Sequence, residues 1–225
     1  MRCACVVTVA SIIITYGFAT SQNTIKSDVF PIISETFMGK PQSYVSEFAL
    51  GFASWVLLTQ VWIVRRLMER YATNGSDKWR KHASRSAVVG YFASICLGLT
   101  AAINYEESFR AHVTAAFSFL FALWIWLVCL IVQFKYHPGV ISVWSMRMKV
   151  VAAVAAATGT FLFTGLSATV TKERAYSLVG AAEWLAVLSL VFACYTVSWD
   201  LDAKSVRIRC SFTESIDGID NPSHP

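Results

Sequence analysis

Apolar residues along this chain gather into six long blocks separated by short polar stretches; they neither alternate as in a half-buried strand nor mark one face of a helix. The blocks run over 5–18, 45–67, 87–103, 113–134, 150–170 and 178–199. A helix needs about 20 apolar residues to cross a hydrocarbon core, and it satisfies its own backbone hydrogen bonds, as lipid demands. The pattern predicts an all-α membrane protein, a bundle of about six transmembrane helices forming one domain over 1–206. After it, residues 207–225 are rich in Ser, Asp, Gly and Pro, cannot build a core, and are expected to be a disordered cytosolic tail. The first block also fits a second reading. It follows Met1-Arg2 and ends in Phe18-Ala19-Thr20-Ser21, as a secretory signal peptide does. A retained helix is the preferred reading, and either one leaves residues 21–44 on the same side of the membrane.

Composition agrees with the class: 56% of the 225 residues are hydrophobic and 15% charged, against about 45–50% and 25% in soluble domains. Charge adds orientation, because short cytosolic loops retain Lys and Arg. One side carries Arg2, Arg65, Arg66, Arg70, Lys78, Arg80, Lys81, Arg85, Lys135, Arg147, Lys149, Lys204, Arg207 and Arg209; the other carries Lys26, Lys40, Arg110, Lys172 and Arg174. That split predicts both termini in the cytosol. The net charge of +5 is then a topology signal, and no nucleic-acid partner is expected. The basic run over 65–85 could also attract anionic headgroups, a secondary reading. Cys96, Cys129 and Cys194 fall inside predicted helices, and Cys3, Cys5 and Cys210 near the cytosolic side, so no disulfide is expected. Asn74-Gly75-Ser76 fits a glycosylation acceptor but lies on the predicted cytosolic side, where it stays bare.

Between the blocks, residues 21–44 contain Phe30, Ile32, Ile33, Phe37 and Met38, too apolar for a solvated linker, and are expected to lie across the top of the bundle. Small residues recur at three- and four-residue spacing in the fifth block (Ala152, Ala153, Ala155, Ala156, Ala157, Gly159) and in the third (Ser94, Gly98), which suits close helix packing in lipid.

Candidate chemistry lies where ionisable groups enter the apolar blocks, the expensive positions in a membrane. Glu47 opens the second block, His112 the fourth, and Glu183 is about five residues into the sixth, so all three share one predicted lumenal layer with Glu106 and Glu107 close above it. A neutral imidazole can take a proton from a hydroxyl, and a carboxylate can fix its tautomer. The alternative is that these groups sit at the interface and reach to water. There is no His-Glu-x-x-His zinc motif, no Gly-x-Ser-x-Gly elbow and no phosphate loop, and no cofactor or metal is expected.

The same residues carry a family pattern. Phe30-Pro31-Ile32-Ile33-Ser34 is followed by Gly39-Lys40-Pro41-Gln42-Ser43-Tyr44-Val45, then Phe48 and Gly51. Glu107-x-Phe109-x-x-His112 lies between the third and fourth blocks, Glu183 is in the sixth, and Trp199-Asp200-Leu201 and Lys204 mark its end. In these the chain resembles the post-GPI-attachment-to-proteins factor two family, six-helix proteins of GPI-anchor lipid remodelling. It departs from that pattern in Glu35-Thr36-Phe37, where relatives have a Gly. The related damage-regulated autophagy modulators share the Pro-x-x-Ser loop and an acidic-Trp sixth helix, but Pro41-Gln42-x-Tyr44-Val45 and Trp199-Asp200 favour the GPI family.

The resemblance implies fatty-acid exchange or reacylation of a lyso-GPI, in Golgi or endoplasmic reticulum membranes, with GPI lipid or another phospholipid as partner. In the acyltransferase-like version His112 deprotonates the lyso-lipid hydroxyl and Glu47 or Glu183 orients it. The competing version is a non-catalytic membrane protein that modulates autophagy or presents lipid to a partner. Asp200 is expected to fix the helix end rather than to act in chemistry.

The basic-residue split makes a direct prediction. Epitope tags placed after Pro225 and within residues 72–78 will both stain in cells whose plasma membrane alone is permeabilised; staining of either tag only after internal membranes are opened would refute the orientation.

Overall fold

The computed structural model describes residues 2–23, 25, 30–72, 77–137, 140–169 and 173–203. The predicted tail, Lys204, Cys210, the basic residues Lys26, Lys172, Arg207 and Arg209, and the Asn74-Gly75-Ser76 triplet lie outside the described residues. Among those described there are helices and no strand: α1 (Arg2–Ser21), α2 (Ile33–Thr36), α3 (Gln42–Ala72), α4 (Asp77–Ala102), α5 (Phe109–Tyr136), α6 (Val143–Thr169) and α7 (Glu173–Ala203). The last five are each long and apolar enough to cross a membrane, and α1 carries a shorter apolar stretch, Cys5–Ser21.

The helices overrun the apolar blocks that predict them. α3 runs to Ala72 rather than 67, α4 starts at Asp77 rather than 87, and α6 at Val143 rather than 150. Once nucleated, a helix gains one hydrogen bond per added residue whether or not the side chain is apolar, and here the polar extensions also pair. Arg65 Nε donates to Glu69 Oε1 at 2.8 Å, Arg66 reaches the same carboxylate at 3.5 Å, and the Ser84 hydroxyl of α4 donates to it at 3.2 Å. α5 likewise starts at Phe109, which draws His112 into its first turn.

The six long helices close into a ring. α1 packs on α3, α3 on α4, α4 on α5, α5 on α6, α6 on α7, and α7 returns to α1. The short α2 lies against α1 and α7 at the end where α1 finishes and α3 begins, here termed the upper end. Small residues set the closeness of the ring. A Cβ at Gly159 of α6 would stand 2.5 Å from the Ala186 amide nitrogen of α7, and one at Gly90 of α4 would stand 2.7 Å from Val61 and 2.9 Å from Trp126. Ala152, Ala153 and Ala156 are buried beside Gly159. Polar side chains inside the ring find partners on neighbouring helices: Gln60 Nε2 donates to the Cys194 carbonyl, Gln133 Nε2 to Ser86 Oγ, and Ser54 Oγ to the Ser94 carbonyl. The outer surface is apolar, with Phe48, Trp55, Val88, Val143, Val151 and Val154 all exposed, as in a helix bundle solvated by lipid.

The lower end holds a buried ion pair that the apolar blocks do not reveal. Lys149, next to the fifth block and one of the cations behind the predicted orientation, is fully buried in α6. Its ammonium donates to Asp200 Oδ2 at 2.5 Å and Ser145 Oγ at 2.8 Å, and the Ser145 hydroxyl also donates to Asp200, at 3.0 Å. The early start of α6 is the cause, since it carries Lys149 into the contact with α7. Asp200→Ala should therefore leave a buried ammonium unpaired and destabilise the protein by about 3–5 kcal/mol. The double variant Lys149→Met with Asp200→Leu should recover most of that loss. Thermal unfolding in detergent checks both; equal melting of the single variant and the native protein would refute the assignment.

Candidate functional site

The upper end is organised by the segment that crosses it. Pro31, Ile32 and Ile33 are buried, and the segment rests directly on the backbone of α7. A Cβ at Gly180 would stand 2.6 Å from the Phe30 carbonyl oxygen and 2.7 Å from that of Pro31, so only glycine allows this approach. The Phe30 amide donates to Ser177 Oγ at 3.0 Å, Trp184 Nε1 donates to the Pro31 carbonyl at 3.1 Å, and the Phe30 and Trp184 rings pack with centroids 5.6 Å apart. The chain then turns into α2. The first amides of a helix have no partner within it, and Ile32, at the N-cap position, offers no side-chain acceptor. Glu183 supplies one from α7: its Oε2 accepts the Ile33 N–H at 2.5 Å.

His112 meets this carboxylate through the next residue of α2. The ring is buried, with Nδ1 2.8 Å from the Ile103 carbonyl oxygen. A carbonyl only accepts, so Nδ1 carries a proton, and in the neutral imidazole the lone pair is then on Nε2. Nε2 faces Ser34 Oγ at 3.4 Å, and the Ser34 hydroxyl donates to Glu183 Oε1, also at 3.4 Å. The result is a line of His112, Ser34 and Glu183 drawn from α5, α2 and α7. Tyr105 packs edge-on to the imidazole with centroids 5.4 Å apart. Burial first, then the Glu35 and Glu183 carboxylates, push its phenol up to about 12, so Tyr105 remains protonated at neutral pH. Glu35 in turn accepts a hydrogen bond from the Tyr176 hydroxyl at 2.5 Å.

Other candidates take other positions. Glu47 is exposed: at 3.6 residues per turn it is rotated away from the face of α3 that buries Gln42, Ser46 and Ala49, and it borders the small cavity of about 20 Å³ that His112 also lines, without reaching the imidazole. Orientation of the imidazole, expected from Glu47 or Glu183, comes from the Ile103 carbonyl instead, because α5 starts early enough to bring Nδ1 over the end of α4. Gly39 has φ +78, a left-handed turn that glycine adopts without strain. Gln42 is buried and its Nε2 donates to Gln22 Oε1 at 2.8 Å. Pro41 and Glu107 are exposed, as is Phe109, whose ring packs edge-on to Tyr105. Lys40 sits over the Tyr44 ring, 5.4 Å from its centroid, and the attraction of that side chain raises its ammonium above the ordinary range. Trp199 and Asp200 belong to the lower end, far from the His112 layer.

Below the polar line runs an apolar cavity of about 110 Å³. Ser34 and Glu183 form its polar end; Leu50, Leu57, Phe119, Leu123, Val187 and Leu190 line its walls, and Cys5 and Cys194 lie at the far end. Along α7 it extends from Glu183 to Cys194, eleven residues or about 16 Å of helix. Among the described residues no group of three or more His, Cys, Asp and Glu side chains is placed to hold a metal ion.

Residues 1–204 match the family model for the Frag1/DRAM/Sfk1/Cwh43P N-terminal domain. The chain belongs to this family. Neither the curated proteins nor the solved structures yielded a match. This Frag1-family chain is thus a multi-pass membrane protein whose family match takes in every element described, from α1 to α7. The contact between Glu183 and α2 is testable by itself. Glu183→Leu removes the acceptor of the Ile33 amide and should cost about 1–3 kcal/mol. Glu183→Gln keeps an acceptor oxygen and should cost clearly less. Melting in detergent together with protease sensitivity of the 30–36 segment checks this; equal behaviour of the two variants would show that the carboxylate does not hold α2.

Proposed function

We propose that this protein remodels the lipid of GPI anchors by transferring a fatty acyl chain onto a lyso-GPI hydroxyl at the lumenal face of Golgi or endoplasmic reticulum membranes. The observation that carries the reading is the His112–Ser34–Glu183 line at the polar end of an apolar cavity about as long as an acyl chain. An acyl ester has the matching shape, a polar carbonyl group on a long apolar tail, and a cavity running from Ser34 and Glu183 into the bundle core accommodates both parts. Of the residues on which the GPI-family resemblance rests, Ser34, His112 and Glu183 meet there and Pro31 to Ile33 lead into it. In this reading the upper end is lumenal, and His112 Nε2, held with its lone pair toward the site, accepts the proton of the attacking hydroxyl.

A second reading, lipid presentation without catalysis, draws on the contact of Glu183 with the start of α2, which serves packing as well as chemistry. Two variants separate them. His112→Ala and His112→Gln should both be expressed at native levels, and both should lose GPI fatty-acid exchange by about 10²-fold or more, because an amide cannot shuttle a proton. The measurement is the fatty-acid composition of GPI anchors from cells lacking the protein and re-expressing each variant. Unchanged anchors in the cells lacking it would reject the GPI reading, and full rescue by His112→Gln would leave lipid presentation.

A further inference from the structure

We propose that Ser34 is a covalent acyl carrier: its Oγ takes the acyl chain from a membrane glycerophospholipid and holds it as an ester until the acceptor hydroxyl arrives. The proposal rests on the acyl-transfer reading above and assigns the nucleophile within it.

Three features of the site converge on this hydroxyl. Ser34 Oγ faces His112 Nε2 at 3.4 Å, while Nδ1 is held at 2.8 Å by the Ile103 carbonyl; the Ser34 hydrogen is donated to Glu183 Oε1 and reaches Nε2 by rotation about the Cβ–Oγ bond. A nucleophile facing a base that is itself oriented by a third group is the arrangement that activates serine. The 3.4 Å separation is long for an O–H···N bond, and such contacts commonly tighten only when substrate is bound. Second, Ser34 is pre-positioned: it follows Ile33, whose amide is tied to Glu183, on a helix of four residues that has little freedom to shift. Glu183 acts here as a positioning residue.

Third, Ser34 and the base it faces open on different spaces. Ser34 lines the apolar cavity of about 110 Å³. His112 lines a smaller cavity of about 20 Å³ with Ser43, Ser46, Glu47, Asn104 and Tyr105, and Phe37 and Leu50 are shared between the two. The small cavity has room for about one water molecule, hence for a single hydroxyl at a time. A direct transfer would need the leaving donor and the attacking acceptor beside the base together, whereas a covalent intermediate lets them use the same place in turn. The thiols of Cys5 and Cys194 lie at the far end of the apolar cavity, away from His112, and do not compete for this role.

The chemistry closes without a redox partner. His112 Nε2 takes the proton from Ser34 Oγ as the oxygen attacks the acyl carbonyl of the phospholipid ester. The bond from that carbonyl carbon to the glycerol oxygen breaks, the glycerol oxygen receives the proton from His112, and a lysophospholipid leaves. In the second half, His112 takes the proton of the lyso-lipid hydroxyl, whose oxygen attacks the Ser34 ester. The bond from the carbonyl carbon to Ser34 Oγ breaks, and Oγ recovers the proton.

The test uses the full chain in vesicles of phosphatidylcholine bearing an alkyne-tagged acyl chain, with lyso-phosphatidylinositol as acceptor. Peptide mass spectrometry reads the adduct, and lipid analysis reads transfer. The expected result is one acyl mass on the peptide containing Ser34. Ser34→Ala should lose the adduct and lower transfer by about 10²-fold or more. Ser34→Cys should accumulate a thioester that neutral hydroxylamine removes, and His112→Gln should show no adduct although Ser34 is present. Transfer at the native rate by Ser34→Ala, or native transfer with no adduct in either the native protein or Ser34→Cys, overturns the carrier and leaves the acyl-transfer reading standing. An adduct without transfer supports the carrier and removes the acceptor reaction. Absence of both overturns the two together.

Discussion

The upper end of the molecule depends on one hydrogen bond, from the Ile33 amide to the Glu183 carboxylate. A helix start in a largely apolar setting needs an acceptor for its free amides, and the residue at the N-cap position of α2 cannot provide one. Because that acceptor comes from α7, satisfying the amide also fixes where α2 sits above the ring. Ser34 then has no choice but to stand between Glu183 and His112. The absence of a side chain at Gly180 and the bonds from Ser177 and Trp184 serve the same end, holding residues 30 and 31 against the helix that carries the carboxylate.

α7 is anchored again at its opposite end, by chemistry of another kind. There Asp200 meets the buried ammonium of Lys149 and the hydroxyl of Ser145. α6 packs closely on α7 through Gly159 and supplies no wall to the apolar cavity. The cavity forms instead on the other face of α7, where α1, α3 and α5 present Ile12, Leu57 and Phe119. One face of a single helix thus serves rigidity and the other leaves space. That division explains how a ring built on small-residue packing keeps room inside without losing its shape.

The residues behind the family resemblance divide along the same line. Ser34, His112 and Glu183 converge on one point, and Pro31 delivers the chain to it. Gly39, with its left-handed backbone, and the buried Gln42, bonded to Gln22, shape the turn that leads into α3. Asp200 belongs to the lower anchor, while Trp199 beside it is exposed. A short motif spread over a membrane protein therefore mixes groups available for chemistry with groups that make turns and tie helices together.

The rough positions of the apolar helices, five long enough to cross a membrane and a shorter one in α1, were legible in the apolar blocks, because hydrocarbon requires long continuous apolar runs whatever the rest of the fold does. So was the layer shared by His112 and Glu183, since an ionisable group near the end of such a run stands out. Helix ends were not legible: backbone hydrogen bonding carries α4 and α6 through polar residues that the apolar pattern excludes, and the burial of Lys149 was hidden with them. Which ionisable group turns inward was equally hidden. Glu47 and Glu183 look alike as residues near helix starts, and only the rotation of α3 and α7 about their own axes, set by packing, exposes one and buries the other. The partner of His112 could not be read at all, because it is a backbone carbonyl, which every residue possesses and which only tertiary structure brings within 2.8 Å of a particular ring.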